Sequence, residues 1–258
     1  MAAQRFLGKT IIITGGAGGI GAAIAAEVVN QGGRVGILDT NQGAIDAVVK
    51  KLTSQGAQVD ARVVDVRDGL AVTTAIDALA QSLGGINILI AAAGGSLGTP
   101  RDMADISDAD LDLVIDVNVK GTYYCARAVI PHMKKNHGGS IITFSSIGGR
   151  SASPVTGIPY AAAKAAITGL TRRLAKEVGE FGIRVNAIAP GLFLTDRLAG
   201  MFDELSETDR TEVLSAIPLG RMPELRECVD PVLFLASDEA SYITGTVLDV
   251  NGGRLMPN

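Results

Sequence analysis

Short apolar runs rich in β-branched residues alternate along this chain with longer segments patterned for helix. Thr10–Ile13 precedes Ile20–Asn30, Arg34–Leu38 precedes Ile45–Leu52, Gln58–Val64 precedes Leu70–Leu83, and Ile86–Ala91 follows. The order continues with a long helix over Asp108–Lys135, a strand over Ser140–Phe144, a helix over Tyr160–Phe181 and a strand over Arg184–Ile188. A last strand, Thr246–Val250, ends in the turn Asn251-Gly252-Gly253. Alternating strand and helix periods imply parallel strands joined by crossover helices, because parallel neighbours cannot be linked by a tight turn. Strand runs that are apolar throughout imply a sheet covered on both faces. The pattern therefore predicts an α/β chain: one doubly wound domain over residues 1–258, with about seven parallel strands, helices on both faces and right-handed crossovers.

Bulk properties narrow what such a domain does. A net charge of -4 leaves no basic footprint for nucleic acid, and Lys134-Lys135 is too short a cluster to supply one. The uncharged stretch from Thr10 to Ala26 approaches the length of a membrane span, but its glycine cluster would break a spanning helix. The N-terminus lacks the apolar region and cleavage site of a secretory signal. Cys125 and Cys228 show neither metal-ligand nor redox spacing and read as packing residues of a reducing compartment. His132 and His137 have no carboxylate or cysteine at ligand spacing, so no metal is expected. A soluble, cytoplasmic protein without membrane or nucleic-acid partners follows.

The first strand runs into Thr14-Gly15-Gly16-Ala17-Gly18-Gly19-Ile20-Gly21, which opens the first helix. Glycines at such a junction let the backbone turn tightly and approach a pyrophosphate, while the helix N-terminus offers unpaired N–H groups and partial positive charge. The second strand ends in Asp39, eighteen residues after Gly21, near the spacing at which a carboxylate meets adenosine ribose hydroxyls. The same carboxylate would repel a 2'-phosphate, and neither Thr40 nor the glycine turn brings a cation to bind one. NAD is favoured over NADP. The plainer alternative is that Asp39 caps the turn that follows it.

Tyr160-Ala-Ala-Ala-Lys164 places a phenol and an ammonium group four residues apart in a helical segment, so both heads share a face. A cation about 5 Å from the phenol, at an effective dielectric near 20, offers roughly 3 kcal/mol to the phenolate, or about two pK units. A tyrosine tuned in this way serves proton transfer near neutrality. A solvent-exposed pair on a surface helix produces the same spacing.

Together these residues resemble the short-chain dehydrogenase/reductase family over nearly the whole chain. The family's T-G-x-x-x-G-x-G pattern is matched by Thr14, Gly15, Gly19 and Gly21, with Gly18 and Ile20 inside the same turn. Asp65, before Val66, falls where the family contacts adenine, and Ala93-Gly94 falls at the floor of the cofactor site. Asn118, Ser146, Tyr160 and Lys164 match the catalytic tetrad. Pro190-Gly191 with Thr195 resembles the segment that meets the nicotinamide carboxamide, and Ile243 to Gly253 the C-terminal strand and turn. Two departures stand out. Ala91-Ala92-Ala93-Gly94 replaces the usual N-N-A-G and loses both amides, for which a local stability effect is expected. Ser146 precedes Tyr160 by fourteen residues, one more than the commonest spacing, which lengthens the Gly148–Pro159 loop at the substrate pocket.

The resemblance implies a Rossmann-like fold and an NAD-dependent oxidoreductase interconverting a secondary alcohol and its ketone. In that scheme Tyr160 is the general acid and base, Ser146 holds the substrate oxygen, Lys164 holds the nicotinamide ribose and lowers the tyrosine pKa, and Asn118 anchors a proton-relay water. Two alternatives remain at this point: a 3-oxoacyl thioester reductase, against which the NAD-type Asp39 argues, and a non-catalytic NAD-binding regulatory protein. Arg150 and Arg197 are candidates for an anionic substrate group, while Gly95 to Leu97, Gly148, Val155 and Gly191 to Phe193 are candidates for the pocket wall. Residues 192–222 read as a lid or an ordinary surface helix. The family also implies a homotetramer built by pairing the two long helices.

Overall fold

The protein is described by a computed structural model over residues 4–152, 156–193 and 206–256. Seven parallel strands form one sheet: β1 (Thr10–Thr14), β2 (Arg34–Asp39), β3 (Val59–Val63), β4 (Ile88–Ala91), β5 (Gly139–Phe144), β6 (Ile183–Pro190) and β7 (Val247–Val250). Their spatial order is β3-β2-β1-β4-β5-β6-β7. After β3 the chain returns to the far side of β1, where Ile11 to Thr14 pair with Ile88 to Ala91. The order thus reverses between β1 and β4, and in open α/β sheets ligands bind beyond the carboxyl ends of the strands at such a point.

The helices are α1 (Gly19–Asn30), α2 (Gln42–Thr53), α3 (Gly69–Leu83), α4 (Asp108–Ile115), α5 (Gly121–Lys135), α6 (Ile158–Val178), α7 (Glu207–Ser215) and α8 (Arg226–Ala236). One apolar layer packs Ile24 and Val28 of α1, Ile45 of α2 and Val232 of α8 on the sheet. The opposite layer packs Val72 and Leu79 of α3, Val129 of α5 and Val178 of α6. Strand β1 is buried along its whole length between two helical layers, its three isoleucines flanked by Thr10 and Thr14. Burying each of Ile11, Ile12 and Ile13 contributes about 1.5–3 kcal/mol.

Two features depart from the sequence reading. The helix expected over Asp108–Lys135 contains a π turn at Asp116–Lys120 between α4 and α5, where the Gly121 N–H reaches back five residues to the Asp116 carbonyl. Such a turn inserts one residue into the helical register and is common at functional sites. Its Lys120–Asp116 ion pair, 2.7 Å apart, lies on the surface. Helix α8 was not anticipated, because Pro231 interrupts its pattern; the ring removes one backbone donor, yet Val229, Val232 and Leu233 still bury against the sheet.

Within residues 192–222, α7 occupies part of the expected lid, and Leu194, Leu198, Met201 and Phe202 lie outside the described residues. Among the described residues, no helix is long and apolar enough to cross a membrane.

Candidate active site

The glycine turn lies against the reversal point. A Cβ on Gly15, whose φ is +63°, would sit 3.0 Å from the Ala93 Cα, and one on Gly21 would sit 2.1 Å from the Gly15 carbonyl oxygen. Side chains at either position would push the turn off β4 or off α1. Gly18 caps α1 without a side-chain hydrogen bond, and a Cβ there would meet open space, so the first N–H groups of the helix face an open cleft. This arrangement fits a dinucleotide pyrophosphate.

Asp39 ties that turn to the end of β2. Its Oδ2 accepts from Ala17 N–H at 3.1 Å, and its Oδ1 accepts from Thr40 and Asn41 N–H at 2.8 and 3.2 Å. Asp39 therefore caps its own turn and also supports the glycine turn, with carboxylate lone pairs still available to ribose hydroxyls. Asp65 is engaged differently. The Arg67 guanidinium grips its carboxylate, with Nε 2.8 Å from one oxygen, and holds its pKa below the usual carboxylate range. Val66 is buried against Gly121.

A cleft of about 470 Å³ beyond the strand ends brings most of the remaining candidates together. Gly15, Gly18, Gly19, Ile20 and Gly21 form one wall, Ala93 and Gly94 the floor, and Ser146, Tyr160 and Lys164 the facing wall, closed by Pro190 and Gly191. Thr195 lies outside the described residues, as do Val155 and Arg197.

Helix α6 carries Tyr160 and Lys164 one turn apart, as their spacing predicts. Lys164 is almost fully buried, and its Nζ donates to the Phe144 carbonyl at 2.8 Å, 5.6 Å from the centroid of the Tyr160 ring. Burial disfavours its charged form and pushes its pKa from 10.5 down to about 8. The Ser145 hydroxyl donates to the Lys164 carbonyl at 2.9 Å, fastening the end of β5 to α6. Ser146 opens a 3-10 turn, Ile147–Gly149, and its Oγ accepts the Gly148 N–H at 3.1 Å.

Asn118 lies behind the floor rather than on the wall. Its Oδ1 accepts the Gly95 N–H at 3.0 Å, and its Nδ2 donates to the Gly95 and Val114 carbonyls at 3.0 and 2.9 Å. Its own carbonyl accepts the Thr122 hydroxyl at 2.7 Å. Asn118 sits within the π turn, where its amide bonds the Val114 carbonyl one turn back while Oδ1 aims at the loop. Thr14 Oγ1 accepts the Ala93 N–H at 3.1 Å. The floor is thus held by Thr14 and Asn118 without the amides that Ala91 and Ala92 lack.

Arg150 does not stand free for an anionic substrate. Its guanidinium pairs with Asp249 of β7, which the sequence reading did not single out, and the two lie too far apart in the chain for any local pattern to reveal it. The Phe144 carbonyl was missed for a related reason, since a backbone acceptor has no signature of its own. His132 pairs with Asp77 at 2.7 Å, and among the described residues no group of three or more His, Cys, Asp or Glu side chains is placed to hold a metal ion. Cys125 and Cys228 are buried packing residues whose thiols burial pushes up to about 12.

A doubly wound sheet with a glycine turn at its reversal point, facing a buried lysine and a tyrosine, fits a dinucleotide-binding oxidoreductase. Comparison with known proteins gives the family. The model of the family described as enoyl-(acyl carrier protein) reductase matches residues 15–254. An uncharacterized short-chain type dehydrogenase/reductase of Sinorhizobium fredii is 41% identical over 254 residues, covering 96% of this chain and 98% of its own. The 3-oxoacyl-[acyl-carrier-protein] reductase FabG of Thermotoga maritima is 38% identical over 255 residues, covering 98% and 100%. A crystal structure of a 3-oxoacyl-[acyl-carrier protein] reductase with bound NAD from Brucella melitensis superposes with a TM-score of 0.88 at 33% identity, covering 99% of this chain and 94% of that one. The chain belongs to the short-chain dehydrogenase/reductase family.

Proposed function

We propose that this oxidoreductase uses NAD to interconvert a secondary alcohol and its ketone, with Tyr160 as the general acid and base. The observation that carries the reading is the shared cleft, in which Ser146, Tyr160 and Lys164 face the glycine turn. NAD, when bound, supplies the hydride acceptor for alcohol oxidation. Tyr160 takes the proton of the alcohol oxygen in that direction and returns it to the ketone oxygen in the other. Ser146 donates a hydrogen bond to the same oxygen and stabilises the charge that develops there. Lys164, charged below about pH 8 and held by the Phe144 carbonyl, favours the tyrosinate and presents its ammonium to the ribose. Asn118, whose side-chain amide bonds Gly95 and Val114, holds the floor and anchors the water that relays protons from Lys164.

Gly15, Gly18, Gly19, Ile20 and Gly21 cradle the pyrophosphate in this reading, and Asp39 takes the adenosine ribose. Asp65 and Val66 border the adenine, Ala93 and Gly94 form the floor, and Pro190, Gly191 and Thr195 meet the carboxamide. The single sheet supports treating the chain as one catalytic domain, which we place in the cytoplasm. Exposed Leu111, Tyr123 and Ile158 on α4, α5 and α6 support a homotetramer paired through those helices.

Reduction of a 3-oxoacyl thioester is a second reading, favoured by the names of two of the proteins above. The weight that Asp39 carried against it is reduced, because one of those reductases was solved with NAD bound. A screen of isopropanol, cyclohexanol and ethyl hydroxybutyrate with NAD, beside acetoacetyl-coenzyme A with NADH, separates the two by absorbance of the reduced cofactor. Tight NADH binding with no turnover of any of the four would contradict both readings and favour the non-catalytic alternative.

A further inference from the structure

Strand β7 closes one edge of the sheet, yet one of its side chains reaches the turn that carries Ser146. The Arg150–Asp249 ion pair spans 99 residues of sequence, and its two side chains are only 17% and 23% exposed. The second oxygen of Asp249 is buried with no hydrogen-bond partner, so among the described residues Arg150 is the one anchor of this carboxylate. Such a pair contributes little net stability, because desolvation offsets most of the attraction; fixing a geometry is its better-attested use.

The turn between Ser146 and Arg150 is short and held along its length. Gly149 and Arg150 N–H groups donate to the Ser146 and Ile147 carbonyls at 3.1 and 3.0 Å. A Cβ on Gly149 would lie 2.5 Å from the Lys164 carbonyl carbon, so the turn is seated directly on α6 at the lysine. Ser146 is thereby held by α6 from one side and, through Arg150, by β7 from the other. Ser151 is tied back to the same turn, its N–H donating to the Ile147 carbonyl at 2.9 Å, and beyond it the chain enters the longer loop that leads to Tyr160.

We propose that the Arg150–Asp249 pair is a positioning device that pins the Ser146 turn to β7 and sets the distance between the Ser146 hydroxyl and the Tyr160 phenol. The proposal rests on the reading of Ser146 as the group that holds the substrate oxygen. An error of about 1 Å in placing such a group costs on the order of a hundredfold in rate.

Two measurements on the full chain test it. The first is amide hydrogen exchange in Arg150→Met: exchange of the amides of Gly148, Gly149 and position 150 is expected to rise about tenfold or more, with the amides of α6 unchanged. Unchanged protection of the turn in a folded variant would overturn the proposal without any substrate. The second is a double-mutant cycle on the best alcohol of the panel above. Arg150→Met alone is expected to lower kcat on the order of tenfold to a hundredfold with NADH affinity within about twofold, and Arg150→Lys to recover most of the loss. Added to Ser146→Ala, Arg150→Met should cost nothing further; an equal loss in that background would show that Arg150 acts elsewhere and overturn the proposal. Should Arg150→Met fail to fold, Asp249→Asn replaces it in both measurements, with smaller changes in the same direction. A Ser146→Ala variant with full turnover contradicts the functional reading instead, while the exchange result still decides whether the pair pins the turn.

Discussion

Replacing Lys164 by methionine should remove a pH dependence of stability along with the reaction. Lys164 is 5% exposed, and burial holds its pKa at about 8 against 10.5 for an ordinary lysine. At about 1.4 kcal/mol per pK unit, this gap corresponds to about 3 kcal/mol. The sign follows from where the proton is held. Between about pH 8 and 10.5 the unfolded chain keeps the lysine proton while the folded protein gives it up, so unfolding becomes harder as pH rises through that window. Below about pH 8 both states are protonated, and the folded state bears the full cost of a buried charge. Methionine has nothing to titrate. Urea unfolding of both proteins, from about pH 7 to about pH 10, isolates the effect because every other titration is common to the two. The wild-type stability minus that of Lys164→Met should rise by roughly 2–3 kcal/mol over this range. A difference that stays flat, or falls, would refute the assignment of a depressed pKa to burial of Lys164.

Two further substitutions address the cofactor and the floor. Asp39→Ala should weaken NADH binding about tenfold and bring the NADH-to-NADPH affinity ratio toward one, as fluorescence titration with the two reduced cofactors would record; an unchanged ratio removes Asp39 from cofactor choice. Asn118→Ala strips the Gly95 amide and two carbonyls of their partners and should cost about 3 kcal/mol, or roughly 6–12 °C in Tm by calorimetry. A loss under about 1 kcal/mol would mean that the floor holds itself in place.

Most strands were legible as short β-branched, largely apolar runs between turn signals, and β1 is the clearest case, with every residue buried, whereas β3 at the sheet edge carries Asp60 and Arg62. The glycine turn and the Tyr160 and Lys164 pair were legible because their chemistry depends on spacing within one element. Features that depend on folding two distant segments together were not. Asp249 is an ordinary strand residue until Arg150 arrives from the turn after β5, two strands away in the sheet. Asn118 was noticed as a poor helix former, but its reason, a π turn aiming the amide at Gly95, requires the loop after β4 to be in place. Helix α8 was obscured by Pro231, whose local cost is offset by the burial of its apolar face.

The central claim is that Tyr160 moves the proton while the cleft binds the cofactor without it. Tyr160→Phe keeps the ring and deletes only the hydroxyl, so one titration with NADH and one turnover assay on the best alcohol of the panel suffice. NADH affinity is expected within about twofold of wild type, with kcat lowered by about 10²–10⁴. A variant that binds NADH normally and retains most of its turnover would contradict the claim.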